Sequence, residues 1–234
     1  MTRLAIIGMG KMGRAVEQLA PEHGFDVVAR IDRVGGDAHE VTSETLNGAE
    51  VAVEFTSPEA APGNIRVAAA ARCPIVVGTT GWDAQRADVE RFVTEVGGAL
   101  LAAPNFSLGV AAFTLTVEAA AAAMRQAPGF DAHLIETHHA QKKDAPSGTA
   151  LALARVAAAQ LGRDVPITSV RTGSVPGIHE LVFDAPFEQI RLVHTARDRR
   201  VFADGALRAA QWLVGRRGIF TLRDVLTSPG DSRS

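Results

Sequence analysis

Cysteine is nearly absent from this sequence, and the shortage argues against several kinds of site. The 234 residues include one cysteine, Cys73, so no disulfide can form within the chain. A thiolate metal cluster is not expected, and no H-E-x-x-H motif occurs, so we predict no metal site. Low cysteine use is typical of a reducing cytoplasm, where we expect this protein, with Cys73 as a small buried apolar side chain.

Tyrosine is absent altogether. Many short-chain reductases use a Tyr-Lys pair for acid-base catalysis, so a reductase with this sequence needs another proton donor. Histidine is the obvious candidate, because its ordinary pKa lies close to neutral pH.

The chain also lacks an excess of charge and a long apolar run. Its 24 lysines and arginines nearly balance 26 aspartates and glutamates, so no overall basic field would attract nucleic acid or an anionic membrane. The apolar run in "MTRLAIIGMG" is far shorter than the ~20 residues that span a bilayer. We therefore expect neither a signal peptide nor a transmembrane helix.

Short apolar runs alternate with helical stretches over the first hundred residues, as in "RLAIIG", "FDVVARID", "VAVEFT" and "PIVVGTTG". This rhythm predicts an α/β fold with a doubly wound parallel sheet of the Rossmann type. The stretch "DGALRAAQWLVGRRG" predicts a late helix with Asp204 as its N-cap.

The middle of the chain, from residue 108, has a different rhythm and is predicted to form a second domain. A long helix is expected at residues 108–126, followed by a strand at "FDAHLIETHH" and a helix that Gly162 ends. The stretch "ITSVRTGSVPGIHELVFDAPFEQIRLVHTA" resembles a meander of three strands.

A glycine-rich loop follows the first predicted strand. Gly8, Gly10 and Gly13 form a G-x-G-x-x-G pattern at the start of a helix, and Asp32 closes the next strand. The glycines permit a tight turn, a close approach of the backbone to a pyrophosphate, and helix packing on the strand. The pattern predicts dinucleotide binding, whereas the alternative is a tight turn without a ligand. Two later segments, "VVGTTG" and "APNFS", also follow strand ends, where ligands of open α/β sheets bind.

The segment "ETHHAQKKDAPSGTA" concentrates polar side chains between aliphatic stretches. Strand alternation puts Glu136 and His138 on one face and His139 on the other, which argues against a metal site that uses both histidines. Pro146 fits a first helical turn and Asp144 or Ser147 a cap, so the amides of Gly148 and Thr149 could bind a carboxylate beside Lys142. The alternative is that these residues only cap a helix and contact solvent.

This segment resembles the signature E-x-H-H-x-x-K-x-D-A-P-S-G-T-A of the 4-hydroxy-tetrahydrodipicolinate reductase family, formerly called dihydrodipicolinate reductases. The similarity extends to "GMGKMGRA", "VVGTTG", "APNFSLGV", "RTGSVPGIHE" and "FADGALRAAQWL", and so covers nearly the whole chain. Two features depart from the family. The connection after Asp32 is shorter than in the longer relatives, and Ala140 stands where relatives often carry arginine.

The resemblance implies a dinucleotide-binding Rossmann domain of residues 1–107 and 203–234, and a central α+β domain of residues 108–202 with a mixed sheet, for substrate binding and oligomerisation. It implies reduction of a small cyclic dicarboxylate with NADH or NADPH in lysine and diaminopimelate biosynthesis, by a homotetramer. It implies His138 as general acid and Lys142 as a second catalytic residue. The implied substrate-binding residues are His139, Ser147, Gly148 and Thr149. The implied cofactor-binding residues are Gly8, Gly10, Lys11, Met12, Gly13, Asp32, Arg33, Gly78, Thr79, Thr80, Ala103, Pro104, Asn105 and Phe106.

Asp32 and Arg33 have opposite preferences between the two cofactors. A carboxylate at the end of the second strand accepts hydrogen bonds from the ribose hydroxyls of NADH, whereas the arginine can pair with the 2′-phosphate of NADPH. We predict use of both cofactors, with NADH at least as good. Other functions on this fold are a dehydrogenase of an amino dicarboxylate and a non-catalytic NAD(P)-binding sensor.

Overall fold

A computed structural model describes residues 1–228, which contain ten β-strands and seven α-helices. The strands are β1 (Thr2–Ile7), β2 (Phe25–Ile31), β3 (Val51–Glu54), β4 (Ile75–Val77), β5 (Ala99–Ala102), β6 (Asp131–His138), β7 (Ile167–Arg171), β8 (Gly177–Ala185), β9 (Glu188–Ala196) and β10 (Gly218–Phe220). The helices are α1 (Lys11–Leu19), α2 (Ala61–Ala70), α3 (Arg86–Glu95), α4 (Leu108–Met124), α5 (Gly148–Leu161), α6 (Arg200–Leu213) and α7 (Leu222–Thr227). Short 3₁₀ turns occupy Ala20–His23 and Asp83–Gln85.

The chain divides into two compact units, one of Met1–Leu108 with the residues from Arg200 onward, and one of Gly109–Arg199. The sequence-based boundaries at 107/108 and 202/203, and the roles given to the two domains, stay predictions. The predicted domain end at residue 234 lies outside the described residues. Within residues 1–228, no helix has both the length and the apolar character needed to cross a membrane.

The first unit contains a six-stranded parallel sheet in the order β10-β5-β4-β3-β1-β2. All four residues of β3 are buried, as are Leu4 to Ile7 of β1, which is the pattern of strands covered on both faces. The predicted α/β class with a doubly wound parallel sheet is confirmed. Cys73 lies in this core, and burial raises the pKa of its thiol to about 12.

The second unit contains a mixed sheet in the order β7-β6-β8-β9. The predicted meander is wrong, because β7 pairs in parallel with β6 and does not neighbour β8. Parallel strands need a crossover, and α5 supplies it, so β6, α5 and β7 form a βαβ unit. Only β8 and β9 form the expected antiparallel hairpin.

The start of α6 and the position of Pro146 differ from expectation. Helix α6 begins at Arg200, so Asp204 lies inside the helix and its carboxylate accepts a hydrogen bond from Arg208 at 3.0 Å. Helix α5 begins after Ser147, one of the two predicted caps, whose Oγ accepts from the Ala150 amide at 3.2 Å. Pro146 precedes this cap and is therefore not in the first helical turn, where it was predicted. Gly162 ends α5 in the left-handed conformation with φ 72°, as predicted.

Helix α6 packs so closely on the strand ends that Gly205 has no room for a side chain. A Cβ there would lie 1.7 Å from the carbonyl oxygen of Phe106. We expect Gly205→Ala to lower the free energy of unfolding by about 3 kcal/mol, as overpacking against backbone does. Urea unfolding followed by tryptophan fluorescence tests this, because Trp82 and Trp212 both lie in the first unit.

Gly63 in α2 is the matched control, because a Cβ at this helical glycine has no atom within 4 Å. Gly63→Ala should leave stability unchanged or raise it by about 1 kcal/mol, since alanine favours a helix. Equal urea midpoints for Gly205→Ala and the parent protein would contradict the close packing.

Candidate active site

A cavity of about 830 Å³ lies at the carboxyl ends of the strands in the first unit. Four of the predicted cofactor residues line it, namely Gly8, Gly10, Asp32 and Arg33. Other lining residues come from the segment after β2, the segment after β3 and the start of α2, including His39, Glu40, Val41, Phe55, Thr56, Ser57, Gly63 and Asn64. The cavity is at the point where the strand order reverses between β1 and β3, which is where open α/β sheets bind ligands.

Each of the three glycines in the loop is suited to its position for a different steric reason. Gly8 has φ 94°, and a Cβ there would lie 2.3 Å from the Phe55 carbonyl oxygen. A Cβ at Gly13 would lie 1.9 Å from the Gly8 carbonyl oxygen, so α1 can approach β1 only with glycine here. Gly10, the N-cap of α1, faces open space. This arrangement fits a dinucleotide, whose pyrophosphate needs free backbone at a helix N-terminus.

Asp32 ties the end of β2 to the glycine loop. Its Oδ2 accepts from the Met9 amide at 2.5 Å and its Oδ1 from the Val34 amide at 3.0 Å. The amide hydrogen bonds from Val34 and Met9 lower the pKa of the Asp32 carboxyl. The neighbouring Arg33 is exposed on the cavity wall, so the two residues predicted to discriminate the cofactors are side by side.

The remaining predicted cofactor residues do not line the cavity. Lys11 and Met12 form the first turn of α1, Gly78 to Thr80 follow β4, and Ala103 to Phe106 follow β5. Thr79 Oγ1 accepts from the Thr56 amide at 2.8 Å, and the rings of Phe106 and Phe55 meet edge to face at 6.1 Å. Both contacts reach residues of the cavity wall.

Sequence reasoning missed the segment after β3. Phe55 and Thr56 line the cavity, and Glu54 is buried just beneath it. Burial raises the pKa of Glu54, although donors including Thr56 and Asn64 contact its Oε1. The available signal was the position of "VAVEFT" in the strand next to β1.

In the second unit, the buried face of the sheet changes from apolar to polar toward one end. On β6 the inward residues run Ala132, Leu134, Glu136 and His138; on β8 they run Phe183, Leu181 and His179. The register aligns Ser169, Glu136, His179 and His194 in one row across the four strands. Arg171 is paired with His138 in the next position. Polar groups distant in sequence therefore meet at one end of the core.

Glu136 is fully buried, and both of its carboxylate oxygens have partners. Oε1 accepts from Arg171 Nη2 at 2.6 Å and, weakly, from the Ser147 amide at 3.4 Å, whereas Oε2 is hydrogen-bonded to Nδ1 of His138. Burial alone would raise the pKa of this carboxyl, but polar contacts from Arg171, Ser169 and His138 lower it to about 2. Glu136 is therefore ionised at neutral pH.

His138 is 8% exposed, and its ring packs edge-on against His179 with centroids 5.2 Å apart. Burial lowers the pKa of His138, while the hydrogen bond and charge of Glu136 oppose this effect. The Nε2 edge of the ring faces Gly177, where a Cβ would lie only 3.1 Å from Nε2. A glycine on β8 thus leaves room for the imidazole.

His179 is buried beside the cap of α5. Its Nε2 lies 3.4 Å from Ser147 Oγ, and its Nδ1 has no hydrogen-bond partner among the described residues. Burial, and secondarily the nearby His138, lower the pKa of His179 to about 4. The ring is therefore neutral at pH 7, and the ring of His194 follows at 6.5 Å on β9.

The predicted substrate-binding residues lie around the N-terminus of α5. Ser147 is buried in the polar cluster, Gly148 is exposed and Thr149 is partly buried in the first helical turn. His139 is partly buried and lies outside the row of buried polar residues. Lys142 donates to Asp144 Oδ1 at 2.8 Å, and its amide donates to the His139 carbonyl at 3.1 Å. The roles given to these residues stay predictions.

Glu136, His138 and His179 each offer a ligand atom within 4.8 Å of the others, which is close enough to consider a metal. The carboxylate is, however, already bonded to His138 and to the cationic Arg171. A cation would have to compete with that charge. The expectation of no metal stays a prediction.

Sequence reasoning assigned no role to Glu136, Arg171 or His179. All three stand in segments that the sequence marks as strands, at positions facing the core. A charged or polar residue at a core-facing strand position is the signal that could have found them.

Profiles of the dihydrodipicolinate reductase family match both parts of this chain. The N-terminal profile matches residues 2–106 and the C-terminal profile residues 109–226. The 4-hydroxy-tetrahydrodipicolinate reductase of Thiobacillus denitrificans is 38% identical over 96% of this chain and 98% of its own length. That of Christiangramia forsetii is 33% identical over 96% and 97%.

Among solved structures, a dipicolinate-bound dihydrodipicolinate reductase from Paenisporosarcina sp. TG-14 has a TM-score of 0.80 at 24% identity, covering 94% of this chain and 97% of that one. An aspartate dehydrogenase from Thermotoga maritima has a TM-score of 0.51 at 16% identity, covering 91% and 96%. At these identities the likeness shows the fold alone.

The neutral state of His179 makes stability depend on pH. Its pKa falls from 6.5 to about 4 on folding, so the unfolded chain binds the proton more readily between these values. This contribution is complete above pH 6.5 and is lost as the pH falls toward 4, by about 3 kcal/mol at most. We expect His179→Gln to flatten this part of the stability profile, measured by urea unfolding with circular dichroism.

A further loss of stability below about pH 4.5 should remain in the variant, because there the Glu136 carboxyl takes up a proton in the unfolded chain but stays ionised in the folded protein until about pH 2. An unaltered slope from pH 6.5 to 4 in His179→Gln would show that this histidine is not held neutral.

Proposed function

The chain belongs to the dihydrodipicolinate reductase family, NAD(P)H-dependent oxidoreductases of lysine biosynthesis, and we propose that it reduces 4-hydroxy-2,3,4,5-tetrahydrodipicolinate to 2,3,4,5-tetrahydrodipicolinate. One observation carries the proposal for the site itself. The signature segment folds so that a buried histidine bonded to a carboxylate lies on the same unit as a capped helix N-terminus. That combination suits proton donation to an anionic substrate.

The first unit is proposed to bind the dinucleotide in its cavity. The glycine loop, Asp32 and Arg33 support this. Thr79 after β4 and Phe106 after β5 add contacts to residues of the cavity wall. When bound, the reduced nicotinamide supplies a hydride that adds to ring C4 of the substrate, after the hydroxylated ring has lost water. The chain's own residues must then hold the ring and supply a proton.

Hydride addition at C4 sends electron density through C5 and C6 toward the ring nitrogen, and the resulting anion must take up one proton, finally at C5, to give the 2,3,4,5-tetrahydro product. We assign this proton to His138, an imidazole whose protonation is possible near neutral pH. Lys142 stabilises the developing charge or itself donates. The substrate's carboxylates bind to His139, Ser147, Gly148 and Thr149, which fixes the ring for reaction.

A homotetramer in the cytoplasm is the proposed working form. Exposed apolar side chains on the second unit support self-association, since Val193 is 53% exposed and Phe187 fully exposed. The near balance of charges gives no basis for a nucleic-acid partner. A membrane partner and a metal are likewise left out of the proposal.

Replacing His138 tests the assigned acid. We expect His138→Gln to lower turnover by ~100-fold or more with nearly unchanged cofactor affinity, the usual size of a lost general acid. The assay supplies the product of the preceding synthase and follows nicotinamide absorbance. An unchanged rate would remove His138 from this role.

The same assay separates the alternative functions. A dehydrogenase of amino dicarboxylates would act on aspartate or diaminopimelate and leave the cyclic imine unchanged, and a sensor would turn over neither. We expect activity with the cyclic imine alone.

Cofactor choice depends on the pair at the end of β2. We propose use of both cofactors with NADH at least as good, because Asp32 disfavours a 2′-phosphate that Arg33 attracts. The difference should be about fivefold to tenfold in kcat/KM, since a screened repulsion and an exposed cation nearly offset each other. Arg33→Ala should lose NADPH activity selectively.

Arg91→Ala is the matched control, because Arg91 is an exposed arginine of the same unit that pairs with Asp88 and does not line the cavity. It should leave both kcat/KM values unchanged. A parental preference for NADPH above about a hundredfold, or an equal loss of both activities in Arg33→Ala, would contradict this reading of the pair.

A further inference from the structure

We propose that Glu136 is a positioning residue for His138: with Arg171 behind it, it fixes the imidazole so that the Nδ1 proton points at the carboxylate and Nε2 exchanges protons with substrate. The inference rests on the proposed function, because it concerns the same proton donor. It adds a residue and an atom-level assignment that the signature histidines alone do not supply.

The carboxylate of Glu136 is held rigidly from two sides. Arg171 donates to Oε1 at 2.6 Å and also to the carbonyl of Asp144, again at 2.6 Å. The guanidinium is thereby fixed between β6 and the segment before α5. With Oε1 engaged, Oε2 is the oxygen directed at His138. A carboxylate fixed in this way can orient an imidazole.

The protonation pattern of His138 follows from this contact. An ionised carboxylate only accepts hydrogen bonds, so Nδ1 must carry a hydrogen in both the neutral and the cationic ring. Nε2 is then the nitrogen that gains and loses the proton. The absence of a side chain at Gly177 leaves space at this edge of the ring.

Charged and titratable groups approach His138 from each neighbouring element. Glu136 lies on its own strand, Arg171 on β7, His179 on β8 and Lys142 in the loop that follows β6. Burial, Lys142 and Arg171 all lower the pKa of His138, and Glu136 is the group that raises it. His179 is neutral at pH 7 and adds no charge there. Without Glu136 every remaining influence would favour the neutral ring.

A purely structural role for Glu136 makes a different prediction. If the Arg171 pair only joined β6 to β7, its loss would lower stability and scale activity equally at every pH. A positioning role instead moves the pH dependence, because the proton donor itself is altered.

Glu136→Gln is the sharpest substitution, since the amide keeps the volume and an oxygen acceptor but removes the charge. The rate should fall as the pH rises through the pKa of His138, where the cationic acid is lost. In Glu136→Gln we expect kcat to fall at a pH that is about one unit or more lower than in the parent protein, with the KM for the cofactor unchanged. At a pH above the shift, kcat should drop by about tenfold, and lowering the pH should restore much of it.

Asp131→Asn is the matched control on the same strand. Asp131 also pairs with an arginine, Arg163, but at the exposed start of β6, so its loss should leave the pH profile in place. Thermal unfolding of both variants shows whether each is folded.

A measurement on the unsubstituted protein tests the inference even if Glu136→Gln fails to fold. Long-range ¹H–¹⁵N spectra of the histidines, assigned with His138→Gln, report which ring nitrogen carries the hydrogen. We expect the Nδ1–H form for neutral His138. This readout needs no substrate, so a protein that failed to reduce the cyclic imine would contradict the proposed function without deciding the inference.

Two outcomes would overturn the inference. One is an Nε2–H tautomer for neutral His138. The other is a folded Glu136→Gln variant whose kcat falls by the same factor at every pH.

Discussion

The buried carboxylate of Glu136 is the constraint on which the second unit's polar site depends. An ionised carboxylate removed from water is costly unless cations and donors surround it. Arg171 is hydrogen-bonded to one oxygen and His138 to the other. A shift in register between β6 and β7 would therefore leave the buried carboxylate without these partners. The amide of Ser147 adds a weaker contact from the start of α5. One buried charge therefore fixes the relative positions of β6, β7 and the start of α5.

The fold was predictable where its signals are local. The glycine loop before α1, the apolar runs of the parallel strands, and Gly162 at the end of α5 each depend on neighbours in sequence. The prediction of a meander was wrong because the pairing of β6 with β7 depends on tertiary structure and not on local sequence. Sequential strands pair often enough that β7 beside β8 was the natural prediction, yet α5 is long enough to return the chain to the other side of β6. The prediction of Asp204 as an N-cap was also wrong, since α6 begins about one turn before this residue.

The site was half predictable for a related reason. His138 and Ser147 belong to one short segment, and strand alternation already puts Glu136 on the His138 face. Arg171 and His179 reach that face through the sheet register, which couples residues far apart in the chain. Their polarity inside strands was visible in the sequence. Their partner was not, because a polar strand residue can face solvent or core according to a register that no local pattern specifies.

Three carboxylates near strand ends differ in the direction of their pKa shifts because their donors differ. Backbone amides lower the pKa of Asp32, and Arg171 leads the contacts that lower that of Glu136. Glu54 is as buried as Glu136 but receives only hydroxyl and amide donors, and its Oε2 has no partner in the described structure. Burial therefore prevails and raises its pKa. Asp32 lies at the edge of the cavity beside Arg33. Its carboxylate can there discriminate between the ribose hydroxyls of NADH and the 2′-phosphate of NADPH.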